Sequence, residues 1–561
     1  MAGNPRRGGA DSRFMTTGST LRSPISIDLP VVPVGALLDG AARRYGDRAA
    51  LVHHDDALTF RDLWAEACAV AHALVARGIR PGDVVGLHLP NSLVWPVAYH
   101  GILLAGATVA LASLALPPDL LRAQLEDAGA VAVVSRDTTL TNVIGTDGRH
   151  LDLPTGPADA PPDVELDPTV ALAHLAYTGG TTGRSKGVEL THANVVANVL
   201  QYAASGSGTV PAPDVHGGIT VEQTSPPEEH PVRLGQGVAL AVAPWFHAMG
   251  TNGLTIGLVT GTTAVVQDRF DPAVYLADVE RHRATTLSGA PAMYHALLAH
   301  PDARTRDLSS VRSVTSGASP MAVAQAERIA ALMPDAIVLE GYGLTEATMA
   351  LCTSPSARSA HRRIGTVGVP IADTELALLE VGSGRPGDDP VGVGERGEIW
   401  ARGPQVMRCY HDRPDETAET LVDGWLRTGD IGIVDADGLV SVVDRVKDML
   451  LFKGYNVYPR ELEERLVARP EVLTAAVVGL PDDAVGEFPT AAVVLSAGSG
   501  PDVVADLAAA INGAVRPYER LRRIFVVDAL PMSAAGKVLK RDLRDTLLGA
   551  AGGPAWSDAA S

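Results

Sequence analysis

Helical segments alternate with short apolar runs along most of this chain, and this alternation restricts the possible folds more than any other feature. The pattern extends from about Val34 to Val440. The apolar period of Leu63 to Arg77 is that of a helix, whereas Val84 to His88 and Val131 to Val134 are typical of short buried strands. Such alternation predicts an α/β architecture with largely buried sheets.

A second, smaller pattern begins at about Asp444 to Asp448 and extends to about Leu548. Within it, Leu462 to Ala468 resembles a helix and Ala475 to Gly479 a strand. We therefore expect a large multi-sheet N-terminal domain and a small α+β C-terminal domain. The predicted segments are a polar, disordered tail (1–26), the large domain (27–445) with a long loop rich in Gly, Pro, Ser and Glu (205–237), the small domain (446–548) and a second polar tail (549–561).

Charge and cysteine content exclude several classes of function. The formal net charge of -19 argues against a nucleic-acid partner, because nucleic-acid binding requires a basic surface. The three cysteines lack metal-site spacing, so we expect reduced thiols in a cytoplasmic protein. Trp95 to Leu116 is nearly all apolar, but its small and β-branched residues favour a buried helix and strand over a membrane span.

The strongest local signal is a Gly- and Thr-rich segment, Tyr177 to Val188. Glycine lets the backbone approach an oxyanion closely, and threonine hydroxyls and one lysine add donors and charge, as a bound β,γ-diphosphate requires. The segment is not a Walker A motif, because Lys186 follows Ser185 rather than glycine. Gly183 to Gly187 also matches the G-x-S-x-G of a hydrolase nucleophile elbow. That motif needs a helix directly after the serine, whereas Val188 to Thr191 intervenes here.

This segment resembles the phosphate loop of the adenylate-forming superfamily, which includes acyl-CoA synthetases, peptide-synthetase adenylation domains and firefly luciferase. Further motifs of that superfamily follow in order across almost the whole chain. They are Pro244 to Gly250, Ser316 to Pro320, Glu340 to Glu346, Gly365 to Gly368, Gly397–Glu398, Asp423 to Asp430, Asp444 to Asp448, Lys453–Gly454 and Pro531 to Lys537. The resemblance implies a large adenylating domain and a small mobile C-terminal domain.

The resemblance also implies roles for individual residues. The expected catalytic residues are Lys537, Thr345, Glu346, His247 and Gly454, with Glu346 also the Mg²⁺ ligand. The expected nucleotide- and CoA-binding residues are Thr178, Gly179, Gly180, Thr181, Thr182, Gly183, Lys186, Gly317, Ala318, Ser319, Glu340, Gly341, Tyr342, Gly343, Asp430, Arg445 and Lys453. The expected acyl pocket contains Ala248, Met249, Gly250, Gly289, Ser316 and Gly341.

The implied cofactors and co-substrates are ATP, which yields AMP, together with Mg²⁺ and coenzyme A. A carboxylate would attack the α-phosphorus of ATP, and a thiolate would then attack the acyl-adenylate and release AMP. Positioning and positive charge should provide most of the catalysis, because two anions must meet. The C-terminal domain would rotate about Lys447 between the steps, presenting first Lys537 and then Gly454.

His247 occupies the place where amino-acid-activating relatives usually carry aspartate, so an α-amino acid is disfavoured. Small pocket residues and the adaptable Met249 predict a bulky or long apolar acid. The leading prediction is an acyl-CoA ligase whose partners are a carboxylic acid and CoA. One alternative is a ligase specialised for one half-reaction or for loading a carrier protein, which the 205–237 segment motivates. Another is a non-catalytic or hydrolytic descendant of the fold.

Overall fold

The computed structural model describes residues 20–153, 158–178, 185–317, 321–482, 484–496, 498–532, 538–550 and 553–558 of the 561-residue chain. The helices are, in chain order from α1 to α13, Gly35–Tyr45, Phe60–Ala76, Val94–Leu104, Pro118–Asp127, His192–Ser207, Ala248–Thr260, Pro272–His282, Pro291–Ala299, Val323–Leu332, Pro414–Thr420, Pro459–Val467, Val504–Gly513 and Lys540–Leu548.

The strands are, from β1 to β30, Leu21–Arg22, Ala49–His53, Asp56–Thr59, Val84–His88, Thr108–Leu111, Ala130–Ser135, Val143–Ile144, Leu172–Thr178, Lys186–Thr191, Thr209–Pro213, Ile219–Gln223, Val238–Ala241, Thr263–Val266, Thr286–Gly289, Ser313–Ser316, Ile337–Tyr342, Cys352–Thr353, Val369–Pro370, Glu375–Leu379, Arg396–Arg402, Cys409–Tyr410, Leu421–Val422, Trp425–Val434, Val440–Arg445, Leu450–Phe452, Tyr455–Val457, Val472–Asp482, Gly486–Leu495, Arg523–Val526 and Trp556–Ser557.

Two mixed sheets form the main body of the large domain. The nine-stranded sheet has the order β18-β17-β16-β15-β14-β12-β13-β2-β3, and its six strands from β16 to β2 run parallel. The seven-stranded sheet has the order β21-β9-β8-β5-β4-β6-β7. Its strands β8, β5, β4, β6 and β7 run parallel, whereas β9 is antiparallel to both of its neighbours, β8 and β21. The predicted α/β architecture with buried sheets is therefore confirmed.

A third sheet completes the large domain, and a fourth forms the C-terminal domain. The third has the order β1-β19-β20-β23-β22, and β24 pairs with β23. The fourth has the order β26-β25-β28-β29-β30, with β27 also on β28, and α11 to α13 pack around it. We call this unit, from residue 446 onwards, the lid domain. Its core is built from residues of its own, among them Leu462, Val477 and Ile524.

The apolar segment Trp95 to Leu116 is part of the protein core as far as Ala112. It forms most of α3 and all of β5, and the residues of both elements are buried apart from Leu104 at the end of the helix. Within the described residues, none of the helices has the length and apolarity needed to cross a membrane. The expectation of a buried helix followed by a buried strand is met.

Three segments are more ordered than their composition predicts. Residues 205–237 contain the end of α5 and a β10–β11 hairpin, and Ile219 of this hairpin packs so closely on α1 that a Cβ on Gly40 would lie 2.5 Å from its carbonyl oxygen. Near the N-terminus, β1 pairs with β19, and near the C-terminus β30 pairs with β29. Contacts with other parts of the chain, either strand pairing or packing on α1, fix these segments, and local composition carries no information about such contacts.

Candidate active site

The candidate site lies where three neighbouring parallel strands end. In β14, β15 and β16, Gly289 lies opposite Ser316, and Ser316 lies opposite Glu340, so the three residues form one row across the sheet. Gly341 and Tyr342 follow at the end of β16. Ligands of open α/β sheets bind beside such carboxyl ends, because loops and helix N-termini converge there.

The two ends of the predicted phosphate loop belong to an antiparallel pair of strands. Thr178 at the end of β8 lies opposite Lys186 at the start of β9. Immediately after β9, Thr191 caps α5 by accepting a hydrogen bond from the Asn194 amide. A strand therefore separates Ser185 from the next helix, which excludes the hydrolase nucleophile elbow considered above. Gly179, Gly180, Thr181, Thr182 and Gly183 lie outside the described residues.

A buried carboxylate joins the end of β16 to β23 and β24. The Tyr342 hydroxyl donates to Asp430 Oδ2 at 2.7 Å, and Arg445 Nε donates to Asp430 Oδ1 at 3.0 Å. Asp430 is 4% exposed, and its charge raises the pKa of Arg445. Burial, together with this carboxylate, raises the pKa of Tyr342. The three predicted nucleotide-binding residues are therefore in direct contact, and both oxygens of Asp430 already accept hydrogen bonds.

A second group joins Glu346, β21 and the phosphate-loop lysine. The Tyr410 hydroxyl donates to Glu346 Oε1 at 2.7 Å. Lys186 Nζ lies 5.0 Å from the centre of the Tyr410 ring and 3.9 Å from Glu416 Oε1. Lys186, Tyr410 and Glu346 therefore lie close together beside β8 and β9. The Glu346 carboxylate is a ligand of the type that Mg²⁺ prefers.

The segment that carries Thr345 and Glu346 is a single 3₁₀ turn held by its surroundings. The Met407 amide donates to the Glu346 carbonyl at 2.8 Å, and the Thr348 hydroxyl donates to the Gln405 carbonyl at 2.7 Å. A Cβ at Gly343 would lie 1.7 Å from the Met349 carbonyl oxygen, so only glycine fits there. These contacts fix the backbone direction of the predicted catalytic segment.

Glu340 is 5% exposed and accepts hydrogen bonds from two backbone amides. The Met321 amide donates to one carboxylate oxygen at 3.2 Å, and the Gly365 amide donates to the other at 2.8 Å. Burial raises the pKa of this carboxyl. The side chain thus holds two neighbouring loops in place, and its implied role in nucleotide binding stays a prediction.

The predicted acyl-pocket residues lie around the start of α6 and the ends of β14 and β15. His247 is the residue before α6, and a Cβ on Gly250 would lie 2.1 Å from the Pro244 carbonyl oxygen. Asn252 holds α6 against the catalytic segment, because its amide nitrogen donates to the Ala248 carbonyl at 3.0 Å and the Thr348 carbonyl at 3.1 Å. Ala248, at the first position of the helix, is buried.

Two methionine side chains lie over glycines of this pocket. A Cβ built on Gly289 would lie 2.0 Å from the terminal methyl of Met293, and one on Gly317 would lie 3.0 Å from Met249 Sδ. The Met293 and Met249 side chains therefore occupy the space that a residue larger than glycine would fill at positions 289 and 317. Methionine adapts its shape readily, so this space can change with the occupant.

The predicted hinge and thiol-path residues lie at the start of the lid domain. Lys447 is exposed in the turn between β24 and β25, directly after the Asp430–Arg445 pair. Lys453 and Gly454 form a two-residue hairpin turn between β25 and β26, with φ of 51° and 80°. A Cβ on Gly454 would meet no described atom within 4 Å. In this orientation of the lid domain, the turn faces solvent.

Lys537, Ala318 and Ser319 lie outside the described residues, so their predicted roles remain predictions. The contributions of Tyr410, Asn252 and Met293 were not predicted from the sequence. A single tyrosine, asparagine or methionine is usually a packing residue, and none of these lies in a motif with recognisable spacing. Only the juxtaposition of distant strands and helices brings them to the site.

Comparison with known proteins agrees with this geometry. The family of AMP-binding enzymes matches residues 38–411, and the C-terminal domain of AMP-binding enzymes matches residues 461–537. A feruloyl-CoA synthase of Amycolatopsis sp is 35% identical over 511 residues, which cover 90% of this chain and 96% of that protein. A long-chain-fatty-acid–CoA ligase of Bacillus subtilis is 31% identical over 565 residues, covering 93% of this chain and 95% of that protein.

Among solved structures, ATP-bound MatB from Rhodopseudomonas palustris superimposes with a TM-score of 0.80 at 26% identity, covering 92% of this chain and 99% of MatB. The apo form of the same protein gives 0.71. The matched families cover both domains, and among the described residues Gly289, Ser316 and Glu340 lie in one row of the nine-stranded sheet. The chain therefore belongs to the AMP-binding enzyme family and is an adenylate-forming enzyme of the acyl-CoA synthetase type.

Proposed function

We propose that this enzyme activates a bulky or long apolar carboxylic acid as its acyl-adenylate and transfers the acyl group to CoA. The proposed class of acid rests on one observation at the predicted acyl pocket: Met249 lies over Gly317, and Met293 lies over Gly289. Glycines leave volume, and methionines can move aside for an aryl or alkyl chain. The names of the relatives, a feruloyl-CoA synthase and a long-chain-fatty-acid–CoA ligase, agree with acids of this class.

In the first step, the acid carboxylate attacks the α-phosphorus of ATP and pyrophosphate leaves. We assign Lys186 and the loop between Thr178 and Lys186 to the β- and γ-phosphates, and Lys537 to the carboxylate and α-phosphate. Thr345 is assigned as a donor to the α-phosphate. These cations and donors oppose the repulsion between the two anions, which is the principal barrier to their approach.

The Asp430 carboxylate is the proposed partner of the ribose hydroxyls, with Arg445 beside it and Tyr342 under the adenine. The Glu346 carboxylate suits Mg²⁺, and the ion would neutralise phosphate charge there when bound. Because Tyr410 donates to one Glu346 oxygen, the carboxylate is held in a fixed orientation towards the phosphate-loop strands. His247 is assigned to the boundary between the acyl pocket and the reacting carboxylate.

In the second step, the CoA thiolate attacks the acyl carbon and AMP leaves. We assign Gly454 to the wall of the thiol path, with Lys453 beside it. Since this turn is exposed here, the step requires the lid domain to rotate about Lys447 and bring the turn to the active site. The β10–β11 hairpin packs on α1, and Arg44 of this helix donates to the Val221 carbonyl of the hairpin. The ordered hairpin gives no support to a specialised half-reaction.

The experiment combines pure protein, Mg²⁺, ATP and a panel of fatty, aryl and polycyclic acids, and measures pyrophosphate release before and after CoA is added. Pyrophosphate release followed by acyl-CoA formation from apolar acids is the expected result. Preference for a short, charged or α-amino acid would contradict the proposed acid class. Acyl-CoA formed only from supplied acyl-adenylate would show that the first step is absent.

The Lys537→Ala variant tests the assignment of the two steps. We expect it to abolish pyrophosphate release, because the cation at the carboxylate and α-phosphate is lost, and to retain thiolation of a supplied acyl-adenylate. Unchanged pyrophosphate release would show that Lys537 has another role.

A further inference from the structure

Two adjacent histidines and an aspartate converge near one edge of the nine-stranded sheet. His53 is the last residue of β2, and Asp268 follows β13, the parallel neighbour of β2. His53 Nε2 lies 2.8 Å from Asp268 Oδ1, and His54 Nε2 lies 3.1 Å from Asp268 Oδ2. The three side chains each place one ligand atom within 4.8 Å of the other two. Neither step of the proposed reaction gives these side chains a role.

The convergence of the two imidazoles depends on an unusual backbone at His54. His53 pairs with Asp56 of β3, which leaves His54 and Asp55 as a two-residue hairpin turn. Side chains that follow one another in an extended strand point to opposite faces, so adjacent histidines do not normally meet. His54 instead has a left-handed φ of 56°, and its ring stacks on that of His53 with centres 4.3 Å apart. Both rings thereby contact the same carboxylate.

Two imidazole nitrogens and one carboxylate are a ligand set that transition-metal ions prefer. Zn²⁺ binds histidine nitrogen and carboxylate oxygen at about 2.0–2.2 Å, so the ligand atoms of a tetrahedral site are about 3.3 Å apart. The two nitrogen–oxygen distances, 2.8 Å and 3.1 Å, need only a small increase to reach this separation. Mg²⁺ prefers a site made of oxygen ligands, so the two imidazoles select against it.

The group is open to solvent and separate from the candidate active site. The side chains of His54 and Asp268 are 70% and 60% exposed, so an ion can enter and keep water in its remaining coordination positions. In the sheet, β12 and β13 lie between β14 and β2. Three strand spacings of about 4.8 Å place β2 about 14 Å from β14, which carries Gly289. The Glu346 carboxylate, assigned to Mg²⁺, is not part of this group.

We propose that His53, His54 and Asp268 bind a divalent transition-metal ion of the Zn²⁺ or Cu²⁺ type, with water in the remaining coordination positions. The ion joins the β2–β3 hairpin, at the edge of the sheet, to the segment that follows β13. Because the three ligands meet only when these elements are folded together, binding stabilises the folded state. This inference does not depend on the proposed reaction.

The test measures Zn²⁺ binding by isothermal titration calorimetry and Cu²⁺ binding by electron paramagnetic resonance. It uses the full chain without a histidine tag and without ATP, which chelates metal ions. We expect a Cu²⁺ spectrum with coupling to two nitrogens, and a higher unfolding temperature with Zn²⁺. In His54→Gly and Asp268→Asn, the affinity for Zn²⁺ should fall about hundredfold, because each variant loses a direct ligand. Glycine accepts the φ of 56° without a steric penalty, so His54→Gly should fold normally without metal.

His361→Gly is the matched control, because His361 and Asp437 form an exposed pair of one histidine with one carboxylate. We expect this variant and Glu346→Gln to bind Zn²⁺ as the native protein does, which distinguishes the site from the proposed Mg²⁺ site. Equal Zn²⁺ affinity in the native protein, His54→Gly and Asp268→Asn would overturn the proposal. Coupling of Cu²⁺ to fewer than two nitrogens, or loss of Zn²⁺ binding in Glu346→Gln, would overturn it too.

Discussion

Tyr410 connects three groups that the sequence places far apart. Its hydroxyl donates to Glu346, which is 64 positions earlier in the chain, and its ring lies under the Lys186 ammonium. A hydrogen bond from a neutral donor to a carboxylate both orients that carboxylate and stabilises its charged form. Tyr410 is therefore a positioning residue for the proposed metal ligand.

We predict that Tyr410→Phe raises the Mg²⁺ concentration needed for half-maximal pyrophosphate release by about tenfold, because a hydrogen bond to a charged group is lost. Direct titration of Mn²⁺ by electron paramagnetic resonance should show the same loss of affinity. Tyr275→Phe is the matched control, since its hydroxyl is buried without a described hydrogen-bond partner. A lower turnover number with unchanged metal affinity would place the effect at Lys186 instead.

Asp444 is a buried carboxyl next to the hinge. Burial raises its pKa from 3.8 to about 6, although the nearby Lys540 and the backbone amides of Arg460 and Arg445 act in the opposite direction and Glu463 adds to the rise. The Arg460 amide, from α11 of the lid domain, donates to Oδ2 at 3.0 Å. Because the folded pKa is above the unfolded one, the stability due to this group is present at low pH and is lost as the pH rises towards 6.

We predict that Asp444→Asn, which cannot ionise, becomes progressively more stable relative to the native protein between about pH 4 and pH 6, with a plateau at higher pH. The full difference should not exceed about 3 kcal/mol, the equivalent of a two-unit shift. Thermal unfolding of both proteins across this range measures the difference. A constant difference at every pH would show that Asp444 titrates normally in the folded state.

At the scale of elements, the turn between β25 and β26 combines an unusual backbone with an open environment. Lys453 and Gly454 both have positive φ, and Phe452 pairs with Tyr455 across the turn. Glycine accepts this conformation without a steric penalty. A side chain introduced at Gly454 would project into solvent in this orientation of the lid domain. The turn is thus stable in this orientation of the lid domain and could form part of a thiol path in the other.

We predict that Gly454→Trp abolishes thiolation of a supplied acyl-adenylate but leaves pyrophosphate release largely intact, because the indole would obstruct the path only after the lid rotates. Gly498→Trp is the control, since Gly498 is also in the lid domain, with φ of 90° and open space around its Cβ position. Equal loss of thiolation in both variants would indicate a general effect of the strained backbone rather than obstruction.

At the scale of the whole molecule, an ion pair joins the two domains. Arg396, in β20 of the large domain, pairs with Glu461 of α11, and its guanidinium lies 4.6 Å from the centre of the Tyr458 ring. Both contacts run from the large domain to the lid domain, so they stabilise the lid orientation described here. The Gly454 turn is exposed in this orientation, so under the proposed function it is the orientation of the first step.

We predict that Arg396→Gln slows pyrophosphate release by about fivefold, since the partly exposed contact contributes on the order of 1 kcal/mol, and does not slow thiolation. Arg402→Gln is a matched control, because Arg402 lies in the same strand and contacts Glu375 and Trp425 within the large domain. Slowing of both steps by Arg396→Gln would indicate damage to the large domain rather than a change in lid orientation.

The sequence alone was sufficient to predict the architecture, and most of the residues assigned to the site were named from it as predictions. Periodicity indicates the α/β large domain and the smaller second domain, because it records which face of each element is buried. The ordered motifs indicate the adenylate-forming family, because Gly-rich turns and their charged neighbours are local features of the chain. Even the membrane-length segment at Trp95 could be assigned to the core from its small and β-branched residues.

Only the tertiary structure decided which side chains meet. Tyr342 and Asp430 are 88 positions apart and belong to different sheets, so their hydrogen bond depends on how these two sheets are placed in the fold. Composition similarly indicated a loop at 205–237, but contacts with α1 stabilise a hairpin there. The spacing of residue types along the chain determines the local backbone conformation and the buried face of each element. The partner of a polar side chain depends instead on long-range packing. For that reason the role of Tyr410 emerged only from the structure.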